Sequence, residues 1–81
     1  MRTLNITEVA QELSGLVPFI ENYTVVALNA TATDEILQTS DTLGGTYATI
    51  ATVVAGKSVE VVLNKPFIKL ASAGSLVLLG N

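Results

Sequence analysis

The sequence has 81 residues, enough for one domain spanning 1–81 whose small core leaves it marginally stable on its own. Charged residues make up 14% of the chain against about 25% in an ordinary soluble domain, and the net charge of −3 excludes nucleic-acid binding through clustered Lys and Arg. Cysteine and histidine are absent, which excludes disulfides, the usual transition-metal ligands and catalysis by a thiol or an imidazole.

The N-terminal segment, residues 1–20, contains the only helical pattern in the chain. Asn5 is placed to cap a helix over residues 5–17, and Pro18 ends it because proline lacks an amide donor. We therefore predict a short helix here, with an extended arm as the alternative. The apolar side chains that recur at near-helical spacing are Ile6, Val9, Ala10, Leu13, Leu16 and Val17.

From residue 21 onward the chain is rich in β-branched residues and is interrupted about every eight to ten residues by Gly, Asn, Asp or Pro. We therefore predict an all-β domain over 21–81, a compact antiparallel β-sandwich or jelly-roll-like fold of about six strands. The predicted strands lie near 23–31, 35–39, 46–54, 58–63, 67–71 and 75–79, with turns at 41–45, 55–57, 64–66 and 72–74.

Two predicted strand segments, 25–28 and 76–79, are apolar on both faces, so each needs cover on both sides. A terminal strand of this kind is an aggregation hazard if it lies bare at a sheet edge. We therefore expect the segment 76–79 to be central in a sheet or covered by a neighbouring subunit.

Three features of the sequence could indicate a binding site for phosphate, calcium or carbohydrate, but each has a simpler interpretation. Gly56-Lys57-Ser58 copies the end of a phosphate-binding loop, but a strand follows it and Ala51 replaces the required glycine, so we predict a β-turn. The spacing of Asp34, Glu35 and Asp41 fits no calcium loop, so we predict solvated turn residues. Tyr47 and Phe67 are predicted to pack in the core.

Carboxylates, lysines and hydroxyls are the remaining groups for catalysis, and no two of them are paired across a cleft in a domain of this size. We predict no enzymatic activity, no catalytic residue, no cofactor and no small-molecule ligand. The apolar runs are too short to cross a membrane, and the N-terminus lacks the layout of a signal peptide, so we expect synthesis in the cytoplasm.

The stretch from residue 43 to 79 resembles small structural proteins of tailed bacteriophages, notably capsid decoration (cement) proteins and tail-associated β modules. The resemblance is carried by Tyr47, the segment 50–53, the turn at 56–58, the segment 66–69 and the apolar closing strand. It implies a β-sandwich or jelly-roll-like subunit, often trimeric, that sits on the virion. Such a subunit contacts the major capsid protein or another virion protein, stabilises the head and carries no catalytic residues.

Composition points in the same direction, because a sparsely charged domain without disulfides or metal has oligomerisation as its remaining source of stability. The apolar residues that we select below as candidates for a subunit interface are equally suited to the hydrophobic core. The alternatives to a head decoration subunit are a carbohydrate-binding module of a tail or surface protein and a subunit of a tail tube or filament. The candidate interface residues are Leu16, Val17, Phe19, Ile20, Leu76 and Leu78.

Overall fold

The computed structural model describes residues 2–13 and 23–80, and these residues form eight β-strands and no helix. Strands β3 to β8 correspond to the six predicted strands, and the predicted turns lie between them. The strands are β1 (Arg2–Ile6), β2 (Gln11–Glu12), β3 (Tyr23–Leu28), β4 (Glu35–Ser40), β5 (Ala48–Val53), β6 (Ser58–Leu63), β7 (Phe67–Leu70) and β8 (Leu76–Gly80).

The predicted N-terminal helix is wrong for the described residues, since β1 and β2 occupy residues 2–12. Leu4 and Ile6 are buried while Thr3 and Asn5 are exposed, which is the two-residue alternation of a strand. A helix would have buried Val9 together with Ile6, but Val9 is 66% exposed. The last part of the predicted helix, residues 14–17, lies outside the described residues.

The strands form two antiparallel sheets of four strands each. The first sheet has the order β1-β8-β3-β6 and the second has the order β2-β7-β4-β5. The pairing is nested, because β1 pairs with β8, β2 with β7, β3 with β6 and β4 with β5. Two further pairings, β3 with β8 and β4 with β7, complete the sheets. The chain therefore follows the course of one long hairpin wound into two layers.

One hydrophobic core is drawn from both sheets. Each sheet contributes alternate residues of its strands, and the bulge between β4 and β5 turns both Ile50 and Ala51 toward the core. Burial of these side chains is the main favourable term for a chain without disulfides. The buried core residues are Leu4, Ile6, Leu13, Val25, Ala27, Leu37, Val53, Val61, Leu63, Ile68, Leu70, Leu76 and Leu78.

Strand β8 is central in the first sheet, between β1 and β3. A central position in a sheet was one of the two alternatives predicted for segment 76–79. Leu76 and Leu78 point into the core and are 1% and 2% exposed. Val77 and Leu79 alternate with them, lie on the outer side and are half-buried. Among the residues that the structure describes, β8 is therefore fully covered on its inner face and partly covered on its outer face.

Candidate subunit interface

The outer face of the first sheet carries an apolar centre. Val26 lies directly opposite Leu79, and Leu28 lies directly opposite Val77, so the four side chains occupy adjacent positions on the two central strands. Val26 and Leu28 are each 38% exposed, while Val77 and Leu79 are half-buried. We call these four residues the apolar patch.

Polar side chains flank the apolar patch on both neighbouring strands. On β1, Thr3 lies opposite Leu79 and Asn5 lies opposite Val77. On β6, Glu60 lies opposite Val26 and Ser58 lies opposite Leu28. All four flanking residues are exposed, so this face has a hydrophobic centre with a polar rim. Val62, which is 49% exposed, extends the apolar area along β6.

The outer face of the second sheet is different at the corresponding place. Its central strands β4 and β7 put Gln38 opposite Lys69, and on the other side of Gln38 lies Thr49 of β5. Gln38 Nε2 donates a hydrogen bond of 3.4 Å to Thr49 Oγ1. The large exposed apolar side chain on these strands is Ile36, which is 39% exposed and lies opposite Thr52. This face therefore has a polar centre.

Tyr47 and Phe67 are half-buried and lie outside the hydrophobic core, so the prediction that they pack in it is wrong. The Tyr47 ring lies below Lys69 Nζ, 5.0 Å from the ring centroid, which places it on the outer side of the second sheet. Its hydroxyl donates a 2.8 Å hydrogen bond to Leu43 O. These two polar contacts fix the ring outside the core.

A buried polar network joins the two sheets at the turn that follows β3. Asn29 is fully buried, and its Nδ2 donates 2.8 Å hydrogen bonds to Thr33 O and Val53 O. Its Oδ1 accepts hydrogen bonds from Thr31 N (2.9 Å) and Thr31 Oγ1 (2.6 Å). The Asn29 side chain thus acts as the hydrogen-bond partner of main-chain groups at this end of the core, where the strands do not pair with them.

Glu35 belongs to the same network and is 2% exposed, so the prediction that it is a solvated turn residue is wrong. Glu35 Oε2 accepts hydrogen bonds from Ser75 N (3.4 Å) and from Thr33 Oγ1 (3.5 Å). Gly74 packs directly on this carboxylate, since a Cβ at Gly74 would collide with both of its oxygens. The sequence signal for this network was the pair Thr31 and Thr33 just before β4, because short polar side chains commonly form hydrogen bonds with the backbone in turns.

The other two acidic candidates lie on the surface, as predicted. Asp34 Oδ1 accepts a 3.0 Å hydrogen bond from Ala55 N, and Asp41 forms an ion pair with Lys65 at 3.0 Å. Nowhere in the described ranges do three or more acidic side chains come together in a group that would hold a metal ion.

The predicted turn at Gly56 is confirmed. Gly56 has a φ of +74°, a conformation that glycine adopts without steric cost. Lys57 N donates a 2.9 Å hydrogen bond to Val54 O, and β6 begins immediately afterwards at Ser58. The segment therefore lacks the helix that a phosphate-binding loop requires.

The predicted interface residues separate into two groups. Leu76 and Leu78 are core residues, so a place for them on a contact surface is corrected in favour of the alternate residues Val77 and Leu79. The other four, Leu16, Val17, Phe19 and Ile20, lie outside the described residues. Sequence alone could not decide which of the two apolar sides of this strand faces the core.

Comparisons with family models, with curated proteins and with solved structures gave no match for this chain. In the part of the chain that the structure describes, no helix has the length and apolar character needed to cross a membrane. The geometry of the two outer faces is therefore the main ground on which a function can be proposed.

Proposed function

We propose that this protein is a non-enzymatic structural subunit that assembles with other copies of itself through the apolar patch. The observation that carries the proposal is the layout of that face, in which four apolar side chains form the centre and exposed polar residues form the rim. Protein interfaces have the same anatomy, with a hydrophobic core surrounded by a polar, solvent-accessible rim.

The strand order supports a finer description of the fold as a β-sandwich of the jelly-roll type. A jelly roll is an eight-stranded double sheet, and the nested pairing of β1 with β8 through β4 with β5 fits it. Capsid and lectin domains use this architecture. Since a fold does not determine a function, the strand order supports an assembly role only together with the apolar patch.

For the biological setting, the proposal is a capsid decoration (cement) subunit on the head of a tailed bacteriophage. It would be synthesised in the host cytoplasm and would then bind the virion beside the major capsid protein. The support is the resemblance of residues 43–79 and the sparse charge of the chain. A cement subunit stabilises the head by burying apolar surface against its neighbours, and the apolar patch is the surface that we propose is buried.

The dimensions of the domain suit this proposal. The domain measures 29 × 27 × 16 Å, so its broad sides are large relative to its thickness. A stable interface takes about 800 Å² from each partner. Four partly exposed side chains provide less than that, so the apolar patch forms the centre of the contact and the flanking polar residues form the remainder.

The experiment uses a matched pair of lysine variants. Val26 and Ile36 are 38% and 39% exposed and lie on the outer faces of the first and the second sheet. Val26→Lys places a charge in the apolar patch, whereas Ile36→Lys makes a comparable change on the opposite face. We expect sedimentation equilibrium to show an oligomer for the unchanged chain and for Ile36→Lys. We expect dissociation for Val26→Lys because the added ammonium group would lose its hydration in the contact, and the attraction of Glu60 opposite it offsets only part of that cost.

A chain that stays monomeric at high concentration would contradict the proposal. An oligomer that survives Val26→Lys would show that the first sheet's outer face is not the contact surface, and equal dissociation of both variants would show that the contact is not specific to this face. Circular dichroism of both variants verifies that each one is folded before the masses are compared. Electron microscopy of the assembled protein then separates a closed oligomer from the open-ended assembly of a tail tube or filament.

A carbohydrate-binding module is the second candidate, and the position of Tyr47 is the observation that favours it. Tyr47 lies on the outer side of the second sheet near polar side chains such as Gln38, instead of in the core. Aromatic rings with a polar handle are suited to such surfaces. A sugar that quenches tyrosine fluorescence in the unchanged chain and not in Tyr47→Leu would support this function. A glycan screen in which no sugar binds would exclude it.

A further inference from the structure

The first sheet ends at β6, and within residues 2–13 and 23–80 this strand pairs only with β3. Asn29 N donates a 2.9 Å hydrogen bond to Lys57 O, which fixes the direction of the backbone groups along the strand. The odd-numbered residues direct their N–H and C=O groups toward β3, because these groups alternate in an antiparallel ladder. Ser58, Glu60 and Val62 therefore direct theirs toward the outer edge.

The other sheet edges carry features that discourage pairing with another chain. Strand β2 is only two residues long, and β5 contains a bulge. At the β1 edge, the carbonyl oxygen of Asn5 accepts a 2.9 Å hydrogen bond from Gln11 Nε2. Strand β6 has six residues, no bulge in its register with β3, no proline and one charged side chain, Glu60.

Val59 provides a second observation at this edge. It lies opposite Ala27, which is fully buried, so its side chain points to the core side of the sheet. Val59 is nevertheless 40% exposed. A further strand beside β6 would cover this side chain in the same way that neighbouring strands cover the rest of the inner face.

We propose that β6 pairs antiparallel with β6 of a second copy across a two-fold axis at Val61. This inference rests on the proposed function, since it takes a second copy as the partner, and it specifies one contact within the assembly. Strand addition at an exposed edge is an established mode of recognition, and a two-fold contact uses the same surface of both chains. The pairing makes one continuous sheet of eight strands.

Three requirements select this register: opposite residues share a face, like charges do not lie opposite each other, and the pairing extends along the whole of β6. Residues that lie opposite each other in a sheet must share a face, so the axis has to pass through a residue. An axis at Glu60 would place two carboxylates directly opposite each other, which is destabilising. An axis at Val61 places Glu60 opposite Val62 of the second copy and Val59 opposite Leu63 of the second copy, and it engages the edge groups of the whole strand.

The pairing also has a consequence for the apolar patch. The two-fold axis is perpendicular to the sheet, so the patches of both copies lie on the same outer side of the joined sheet. The assembly then contains an even number of chains, in place of the trimer implied by the resemblance to decoration proteins.

The absence of cysteine from the chain permits a direct test by single-cysteine cross-linking. At the axis, Val61→Cys places two thiols in a non-hydrogen-bonded pair with Cα atoms about 4.5 Å apart, a spacing that a disulfide spans. In Glu60→Cys the two thiols are offset along the strands by two residues and are too far apart to bridge. We expect mild oxidation to convert most of Val61→Cys, and little of Glu60→Cys, into a covalent dimer.

Each outcome has a distinct meaning. Cross-linking of Glu60→Cys but not Val61→Cys would overturn the register. If the unchanged chain assembles but neither variant cross-links, edge pairing is wrong and the proposed function stands. If the unchanged chain is monomeric, the proposed function and this inference fail together.

A second pair of variants keeps the test valid if Val61→Cys does not fold. Val62→Lys places a positive charge opposite Glu60 of the second copy, and Val62→Glu places a negative charge there. We expect the dissociation constant of the dimer to be about tenfold lower for Val62→Lys than for Val62→Glu. Thr3→Lys and Thr3→Glu make the same net-charge changes at the opposite edge of the sheet. If they shift dimerisation as much as the Val62 variants, the pairing is overturned.

Discussion

The two outer faces of this domain are built on similar four-stranded antiparallel sheets, yet their centres have opposite character. On the first sheet Val26 and Leu79 lie side by side, whereas on the second sheet the corresponding central pair is Gln38 and Lys69. The inner faces of both sheets pack into one shared core, so folding of the domain does not by itself require the two outer faces to differ. The difference teaches that a strand with two apolar sides can fill the core of a small domain with one side and leave the other side on its surface, where we propose that a partner covers it.

Making the two faces alike should produce the largest effect. Gln38→Val together with Lys69→Val gives the second sheet an apolar centre like that of the first. Burying each new valine in a contact contributes about 1.5–3 kcal/mol, so we expect both faces to associate and the assembly to become open-ended. Dynamic light scattering should show particles that grow with concentration. No change in particle size would indicate that an apolar centre is insufficient for association.

Removing the link between the sheets should weaken the fold without distinguishing the faces. Asn29→Ala removes the side chain that bonds to Thr33 O and Val53 O and leaves these acceptors unsatisfied. We expect a loss of about 2–4 kcal/mol in the free energy of unfolding. Urea denaturation measures this loss at a concentration where the chain is monomeric. A variant as stable as the unchanged chain would show that water replaces the network without cost.

Gly74→Ala should have a smaller effect at the same place. The added Cβ would meet the Glu35 carboxylate, which is held by Thr33 and Ser75. Overpacking of this kind costs about 1–3 kcal/mol, so the melting temperature should fall. Gly44→Ala is the control, because a Cβ there meets nothing within 4 Å. Equal melting temperatures for both variants would contradict the close contact at Gly74.

The smallest effect is expected at the surface ion pair. Lys65 and Asp41 have side chains that are 41% and 75% exposed, so solvent screens their attraction. Lys65→Gln should lower the free energy of unfolding by about 1 kcal/mol or less and should leave assembly unchanged. Dissociation of the oligomer by this variant would place the contact surface elsewhere than the apolar patch.

Six strands were predictable because their residues alternate or form short apolar runs between clear turn signals. The first two strands were not, because Ile6 and Leu13 fit helical spacing as well as they fit two separate extended segments. Local periodicity cannot decide such a case, and the pairing of β1 with β8 decides it in the fold.

The candidate site was predictable only in part, for a related reason. Segment 76–79 is apolar throughout, so the sequence does not show which alternate residues face inward. Its place between β1 and β3 puts Leu76 and Leu78 in the core and leaves Val77 and Leu79 outside. The burial of Glu35 likewise depends on Ser75, which is distant in sequence and is brought close by the fold.

The central claim is that another subunit covers the outer face of the first sheet and not that of the second. Val26 and Ile36 have nearly equal exposure in the single chain, 38% and 39%, so their methyl groups are matched reporters. Methyl NMR of the assembled protein with a soluble paramagnetic agent measures how accessible each one is. The account predicts strong broadening for Ile36 and protection for Val26, and equal broadening of the two would contradict it.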